Sequence, residues 1–349
     1  MSEDSSKSRV VVVGCGSMAN AWVKLALAME EVELVGLVDL NRAAAEAMAQ
    51  RHNQPVSLVF DSLDAALASA RPDIVFDVTV PAAHDKVTIT ALRGGCHVLG
   101  EKPMSDTLDK ARKMVAAAKE SGKLYAVTQT RRPNSALHTA ISALRQGAIG
   151  QLEEIHSDFY IGAHFGGFRD EMDYPLILDM AIHTFDNARQ IADADPVSVY
   201  CHSWNPPHSW YKGDASALCV FDMADADGNR IVYTYRGSWC NEGMQTSWNA
   251  DWRIVGSKGT LRWDGEQTVR AEAVKADGKH GFNSEMAAAP IEPVALPYTG
   301  HEAMLRDFVH AVRNGGTPMC PCQDNIKSLA MVLAAVQSAK SGQRVAVQW

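Results

Sequence analysis

The first 130 residues repeat one pattern, a short apolar run followed by a stretch of helical spacing rich in Ala and Leu. Arg9-Val10-Val11-Val12-Val13 precedes a helix from Ala19 to Glu30, and Glu33 to Val38 makes a second strand. A short strand over Ser57 to Phe60 and a helix from Leu63 to Ala70 lead to a strand over Asp73 to Thr79. Val80-Pro81-Ala82-Ala83-His84 turns into the next helix. His97-Val98-Leu99, a helix from Asp106 to Ser121 and a strand from Leu124 to Thr128 close the series. Strands apolar on both faces and separated by helices predict a doubly wound parallel sheet of the α/β class.

After about residue 130 the period changes. A helix from Pro133 to Gln146 leads into longer alternating segments: Leu152 to Tyr160, Val197 to Trp204, Ala215 to Met223, Arg230 to Trp239, Thr246 to Val255 and Thr260 to Trp263. With turn signals such as Asp227-Gly228-Asn229 between them, they predict a mostly antiparallel sheet with one apolar and one polar face. A mobile Gly/Ala-rich segment, Ala276 to Ala289, interrupts it, and helices from His301 to Asn314 and Asp324 to Ser341 finish the chain.

The first strand ends in Gly14-Cys15-Gly16-Ser17-Met18-Ala19, a G-x-G-x-x-A loop opening a helix, and the second strand ends at Asp39. Strand, glycine loop, helix and acidic residue together make a dinucleotide fingerprint. Gly14 permits the tight turn, Gly16 lets the backbone approach the pyrophosphate, and Ser17 and Met18 lead into the helix N-terminus. The Asp39 carboxylate can accept from the adenosine ribose hydroxyls and repels a 2′-phosphate, which favours NAD over NADP. Arg42 is the counter-evidence, since an arginine there can grip that phosphate. Asp39 could also cap the following helix. The chain then divides into a disordered stub over 1–8, a NAD-binding domain over 9–130 and a substrate-binding α/β domain over 131–349.

Ligands of such sheets bind at the carboxyl ends of the strands, where Thr79, Pro81, Lys102 and Gln129 fall with the glycine loop and Asp39. Lys102, in Gly100-Glu101-Lys102-Pro103, is the main chemical candidate. An ammonium at the end of a central strand is costly unless paired, and a lysine so placed can relay a proton or stabilise an alkoxide. Glu101 beside it could hold its position, and a cis peptide is expected at Lys102-Pro103 because such bonds concentrate at tight functional turns. In the second domain, Asp179 and His183 stand four residues apart, so on a helix they share a face and can act on one substrate. Asp186 is either an orienting partner of His183 or an exposed helix charge. Tyr160, His164 and Arg169 precede this helix and could point into the same cleft as substrate ligands.

Composition narrows the class. The chain has 349 residues, 46% apolar and 21% charged, with a net charge of −8, which argues against a nucleic-acid surface. No apolar run reaches membrane-spanning length, and the polar start lacks the core of a signal peptide. Seven scattered cysteines read as reduced thiols of a cytoplasmic protein, and Cys320-Pro321-Cys322 is too close and isolated for a zinc site, so no metal is expected. Six of eight tryptophans lie between 204 and 263. Trp204, Trp210, Trp239, Trp248 and Trp252 either cover a sheet face or an interface, or stack on a sugar ring.

Taken in order, the glycine loop, Thr79-Val80-Pro81-Ala82-Ala83-His84, Gly100-Glu101-Lys102-Pro103, Arg131-Arg132 and Asp179-Met180-Ala181-Ile182-His183 resemble the Gfo/Idh/MocA oxidoreductases, as do Gly256 to Leu261 and Ser338 to Val345. The resemblance covers essentially the whole chain. It implies an N-terminal Rossmann domain and a C-terminal α/β domain whose large open sheet mediates homodimers or homotetramers. It implies hydride transfer at a sugar, sugar-derivative or cyclitol carbon, with Lys102 and His183 as a proton-relay pair and Asp179 fixing substrate hydroxyls. Pro81, His84 and Glu101 would line the cofactor. The sequence departs from the family at Asp173-Tyr174-Pro175-Leu176-Ile177-Leu178, where many members are glycine-rich, and a bulkier pocket wall is expected there. The same constellation would serve a glycosidase working by transient oxidation on tightly held NAD. A non-catalytic NAD sensor is the third possibility, and it would not need Lys102, Asp179 and His183.

Overall fold

The computed structural model describes residues 7–349, so most of the expected stub lies outside the described residues, while Ser8 already belongs to the first strand. The chain forms two compact units. The first comprises the chain to Thr130 together with Tyr298–Leu329, and the second comprises Arg131–Pro297 and Ala330–Trp349.

In the first unit, β1 (Ser8–Val13), β2 (Val32–Val38), β3 (Val59–Phe60), β4 (Ile74–Asp77), β5 (His97–Gly100) and β6 (Tyr125–Val127) form a six-stranded sheet in the order β3-β2-β1-β4-β5-β6. Every pairing in it is parallel. The order reverses beside β1, which puts the switch point at the β1 and β4 strand ends. The helices α1 (Ala19–Ala28), α2 (Arg42–Arg51), α3 (Leu63–Ala70), α4 (His84–Arg93) and α5 (Leu108–Ser121) connect the strands. The next helix in the chain, α6 (Ser135–Arg145), belongs to the second unit.

Trp22 on α1 is fully buried and meets Phe76 of β4 edge-on at 5.2 Å between ring centroids. Leu305, Phe308 and Val309 of α8 (Gly300–Asn314) complete the same core, which is why Tyr298–Leu329 belongs with the first unit rather than with 131–349. Large aromatics buried in this way dominate core stability, at about 3–5 kcal/mol each on truncation to Ala.

In the second unit, nine strands form one sheet. They are β7 (Leu152–Tyr160), β8 (Ala194–Trp204), β9 (Ser216–Asp225), β10 (Arg230–Ser238), β11 (Asp251–Gly256), β12 (Gly259–Trp263), β13 (Val269–Val274), β14 (Met286–Ala289) and β15 (Val345–Ala346). Their order is β14-β13-β12-β11-β7-β10-β9-β8-β15, and the pairing is antiparallel except between β7 and β10. The expected interruption at 276–289 therefore ends in an edge strand paired to β13. The expected strand from Thr246 begins only at Asp251, because Ala250 takes a left-handed φ of 68° that breaks the run.

Burial alternates along β10, as one covered face demands. Phe185 of α7 (Ile182–Ala192) packs on Phe221, Tyr233 and Tyr235 of the covered face. Trp239, Trp252 and Trp263 are buried there as packing, whereas Trp204 and Trp248 are exposed. The opposite face carries crossed charges, with Arg236 on Asp158 and Arg262 on Asp251.

Candidate active site

The glycine loop is shaped by contacts that only glycine allows. Gly14 has a φ of 90°, and a Cβ there would come within 2.6 Å of the Val78 carbonyl oxygen. A Cβ on Gly16 would meet nothing within 4 Å, so this stretch of backbone lies open to a ligand. No side chain caps α1 and its first turn holds no acidic residue, leaving the positive end of the helix suited to a pyrophosphate.

Asp39 is tied down by backbone amides. Cys15 N–H donates to its Oδ2 at 2.7 Å and Asn41 N–H to its Oδ1 at 2.8 Å. The cap of α2 is Asn41, which accepts from Ala43, and not Asp39. Arg42 is drawn onto Glu46 at 2.8 Å and Asp61 at 2.6 Å, two carboxylates of the surface, instead of standing ready for a phosphate. Burial, and after it Asp39, pushes the Cys15 thiol up to about 12, so it is no nucleophile. These residues fit a dinucleotide whose adenosine ribose lies against Asp39.

The ends of β4 and β5 hold two buried carboxylates. Asp77, fully buried, accepts from Thr79 Oγ1 at 2.6 Å and Thr88 Oγ1 at 3.0 Å. Thr79 thus braces a strand end. Pro81 is half-buried after Val80, which is 65% exposed. His84 is 2% exposed, with its ring nitrogens 3.0 Å from the carbonyl oxygens of Pro103 and Thr79.

Glu101 is also internal. Its Oε1 accepts from Trp22 Nε1 and His301 Nε2, both at 2.9 Å, and its Oε2 from the Lys102 amide at 3.0 Å and Thr128 Oγ1 at 3.1 Å. Burial alone would raise its pKa, but the bond and charge of His301, then Trp22 and the Lys102 amide, bring it below the usual carboxylate range. The ammonium-bearing residue Lys102 follows, half-buried, with a cis peptide to Pro103 as expected. Gln129 is buried just past β6.

In the second unit the Asp179 turn is not α-helical. Leu176–Ala181 is a π-helical turn, and α7, carrying His183, begins at Ile182. Such turns often mark functional sites. Arg169 Nε donates to Asp179 Oδ2 at 2.6 Å, and its guanidinium lies 5.2 Å from the ring of Phe165 and 4.7 Å from that of Phe168. Arg169 therefore joins Asp179. His164 instead stacks on Trp210 at 3.7 Å and bonds Glu242 at 2.9 Å on the surface, and Tyr160 is half-buried at the end of β7.

Asp186 is not an exposed helix charge: it is fully buried and receives both Nε and Nη2 of Arg132 at 2.7 Å. In the stretch that departs from the family's glycine-rich pattern, Leu176 and Ile177 are fully buried, while Tyr174 and Leu178 are half-buried. His301, Trp22 and Asp77 escaped the sequence reading. Asp77 alone had a local signal, as a carboxylate ending the apolar run Ile74-Val75-Phe76.

Residues 8–129 match the oxidoreductase family with an NAD-binding Rossmann fold, and residues 137–262 match the GFO/IDH/MocA C-terminal domain. The chain belongs to the Gfo/Idh/MocA oxidoreductases. It is an NAD-binding oxidoreductase of that family, with the parallel Rossmann sheet and second, mostly antiparallel sheet described above. Among its relatives are 1,5-anhydro-D-fructose reductase of Ensifer adhaerens, 25% identical over 97% of this chain and 98% of that one. Inositol 2-dehydrogenase of Rhizobium meliloti (strain 1021) is 24% identical over 97% and 99%. In fold, the chain resembles an oxidoreductase from Agrobacterium radiobacter solved in complex with NAD+, L-tartaric acid and magnesium. The TM-score is 0.82 at 20% identity, over 98% of this chain and 99% of that one.

Proposed function

We propose that this chain is an NAD-dependent dehydrogenase that transfers a hydride at a CH–OH or keto carbon of a sugar, sugar derivative or cyclitol. The observation that carries the reading is Lys102, placed at the end of β5 by a carboxylate that takes four donors, two strands from the glycine loop. The reductases and dehydrogenases of sugars and cyclitols among its relatives support it. When bound, NAD supplies the hydride acceptor, or as NADH the donor. Gly14, Gly16 and the α1 N-terminus would hold its pyrophosphate and Asp39 its adenosine ribose, with NAD preferred to NADP.

The work left to the protein is proton and charge management. Lys102 as an ammonium stabilises the developing alkoxide, and His183 accepts the hydroxyl proton. Asp179, held by Arg169, binds substrate hydroxyls, and Arg169 sets the polarity of that wall. The crossed charges of the open sheet face suit an interface between copies of the chain.

A panel of sugars, cyclitols and their keto forms, followed by absorbance of the reduced nicotinamide, tests the reading. Substrate-dependent accumulation of NADH from an alcohol, or its consumption by a ketone, is the expected result. Bond cleavage of a glycoside with no net NADH would replace the dehydrogenase by a redox-elimination glycosidase, and silence across the panel with NAD still bound would point to a sensor.

A further inference from the structure

Phe165, Phe168 and Trp248 are 59%, 67% and 45% exposed, and they cluster. Phe165 lies 6.2 Å from Trp248 and 6.3 Å from the buried Trp239 between ring centroids. Phe165 and Phe168 both pack on the Arg169 guanidinium, at 5.2 and 4.7 Å. A single apolar side chain in water is ordinary, but a patch of large aromatic rings beside polar groups marks a binding surface. These rings do not hang from a loose segment. Ahead of them, Trp210 Nε1 and Tyr211 Oη donate to the Ala163 carbonyl at 3.1 and 2.6 Å. Beyond them, the Lys212 amide donates to the Asp170 carbonyl at 2.8 Å. The rings are held in water by a segment tied at both ends.

Arg169 supplies the polar part of the same surface. Its Nε donates to Asp179 Oδ2 at 2.6 Å, and among the described residues no protein acceptor meets its Nη1 or Nη2. A guanidinium carries five N–H donors in one plane, so its terminal edge keeps donors for a ligand. Asp179 and the two phenylalanine rings fix that plane. Aromatic faces with a few fixed donors suit a sugar ring, which shows C–H groups on its face and hydroxyl oxygens at its rim. The ring whose hydroxyls Asp179 and His183 handle cannot cover three aromatic faces as well.

We propose that Phe165, Phe168, Arg169 and Trp248 form a subsite for a second sugar ring, and that the substrate is a disaccharide or larger glycoside. The reacting sugar sits at Asp179, and its neighbour stacks on the exposed rings and accepts from the Nη groups of Arg169. Which ring reacts rests on the dehydrogenase reading, while binding of the second ring stands without it. An aryl aglycone would use the aromatic faces but leave the guanidinium donors unmet, so a hydroxylated ring is the occupant that fits both.

The test is calorimetry on the full chain loaded with NADH, so that no hydroxyl can pass its hydride on. Cellobiose, maltose, lactose, sucrose and trehalose are compared with glucose, galactose, fructose and myo-inositol, and with phenyl β-glucoside as the aryl control. At least one disaccharide should bind about ten-fold or more tighter than either of its component sugars. The absence of any such disaccharide overturns the proposal, and so does phenyl glucoside binding tighter than every disaccharide.

Phe168→Ala and Trp248→Ala should each weaken that disaccharide about ten-fold and leave its component sugars within about two-fold. Equal losses for disaccharide and single sugar, or no loss for the disaccharide, overturn the subsite. Should an alanine variant unfold, Phe168→Leu keeps an apolar side chain and removes only the aromatic face, and it must show the same selective loss. Turnover of single sugars with no tighter disaccharide would remove the subsite and leave the dehydrogenase. A tighter disaccharide with no sugar ever turned over would remove the dehydrogenase and leave the subsite.

Discussion

Lys102 and Asp179 are supported in opposite ways. Lys102 stands at the end of a strand paired on both sides, beside a carboxylate that takes donors from α1, from its own backbone, from β6's exit and from α8. Asp179 sits on a π-helical turn. Arg169, which donates to it, comes from the short helical turn Gly167–Arg169, where Gly166 and Gly167 both take a positive φ. Phe165 and Phe168 in that loop are 59% and 67% exposed. A lattice of buried bonds from distant segments makes a rigid mount. A loop built on adaptable glycines can be reshaped without disturbing a core. Under the proposed function, the chemistry falls to the sheet edge of the first unit and substrate choice to the loop of the second.

The comparison breaks most directly at the two proposed proton-handling residues. Lys102→Ala and His183→Ala should each lower turnover by about 100-fold or more, with NAD affinity changed by no more than a few-fold, because the loss falls on the transition state. Steady-state rates on the true substrate, with NAD titrations by fluorescence, check this. Near-normal turnover in both variants would remove the proposed mechanism.

The rigid mount was legible in sequence where its parts are local, and hidden where they are not. Gly14, Gly16, Asp39 and Glu101-Lys102-Pro103 lie on one strand end each, so spacing alone marked them. His301 reaches Glu101 from 200 residues away, and no local pattern announces such a bond. Asp186 shows the converse failure. On a helix of unknown depth it read as a partner of His183 or a solvent charge, and the fold removes the second alternative by burying it beneath Arg132, from the segment before α6. The π-helical turn was invisible because Asp179 and His183 keep a spacing that an α-helix would also place on one face. Arg42 beside Asp39 gave an ambiguous cofactor edge, and only the fold shows its guanidinium engaged by Glu46 and Asp61.

Glu101 sharpens the contrast in stability. Glu101→Gln puts an amide N–H₂ where two donors converge, so a buried donor loses its acceptor, at about 1–3 kcal/mol. Thermal unfolding at pH 7 should show a corresponding fall in Tm. The sign of the pH dependence follows from the depressed pKa. Above the ordinary value of 4.5 the ionised Glu101 contributes in full, and the contribution is lost as the pH falls through the lower folded-state value. The gap between wild type and Glu101→Gln should therefore be constant near neutrality and close only below pH 4.5. A gap that persists unchanged into acid would assign the loss to packing instead of charge.

A smaller effect is expected at the adenosine end. Asp39 is fixed by two amides, and its charge opposes a 2′-phosphate, so NAD should bind at least ten-fold tighter than NADP, about 1.4 kcal/mol. Calorimetry with both dinucleotides decides it, and equal or tighter NADP binding would turn attention to Arg42.

Arg42 itself should then matter least. Its guanidinium is held by Glu46 one helical turn on and by Asp61 beyond β3, on a side chain 48% exposed. Exposed pairs of this kind contribute little and are screened by salt. Arg42→Ala should accordingly leave the NAD dissociation constant within about two-fold and the NAD:NADP ratio unaltered. The substitution also frees two carboxylates near the cofactor edge, so any residual effect should be a slight weakening of NADP at low salt that disappears as ionic strength rises. A selective loss of NADP affinity that survives high salt would mean that Arg42 leaves Glu46 and Asp61 to grip the phosphate. The cofactor edge would then share the adaptability assigned here to the Arg169 loop.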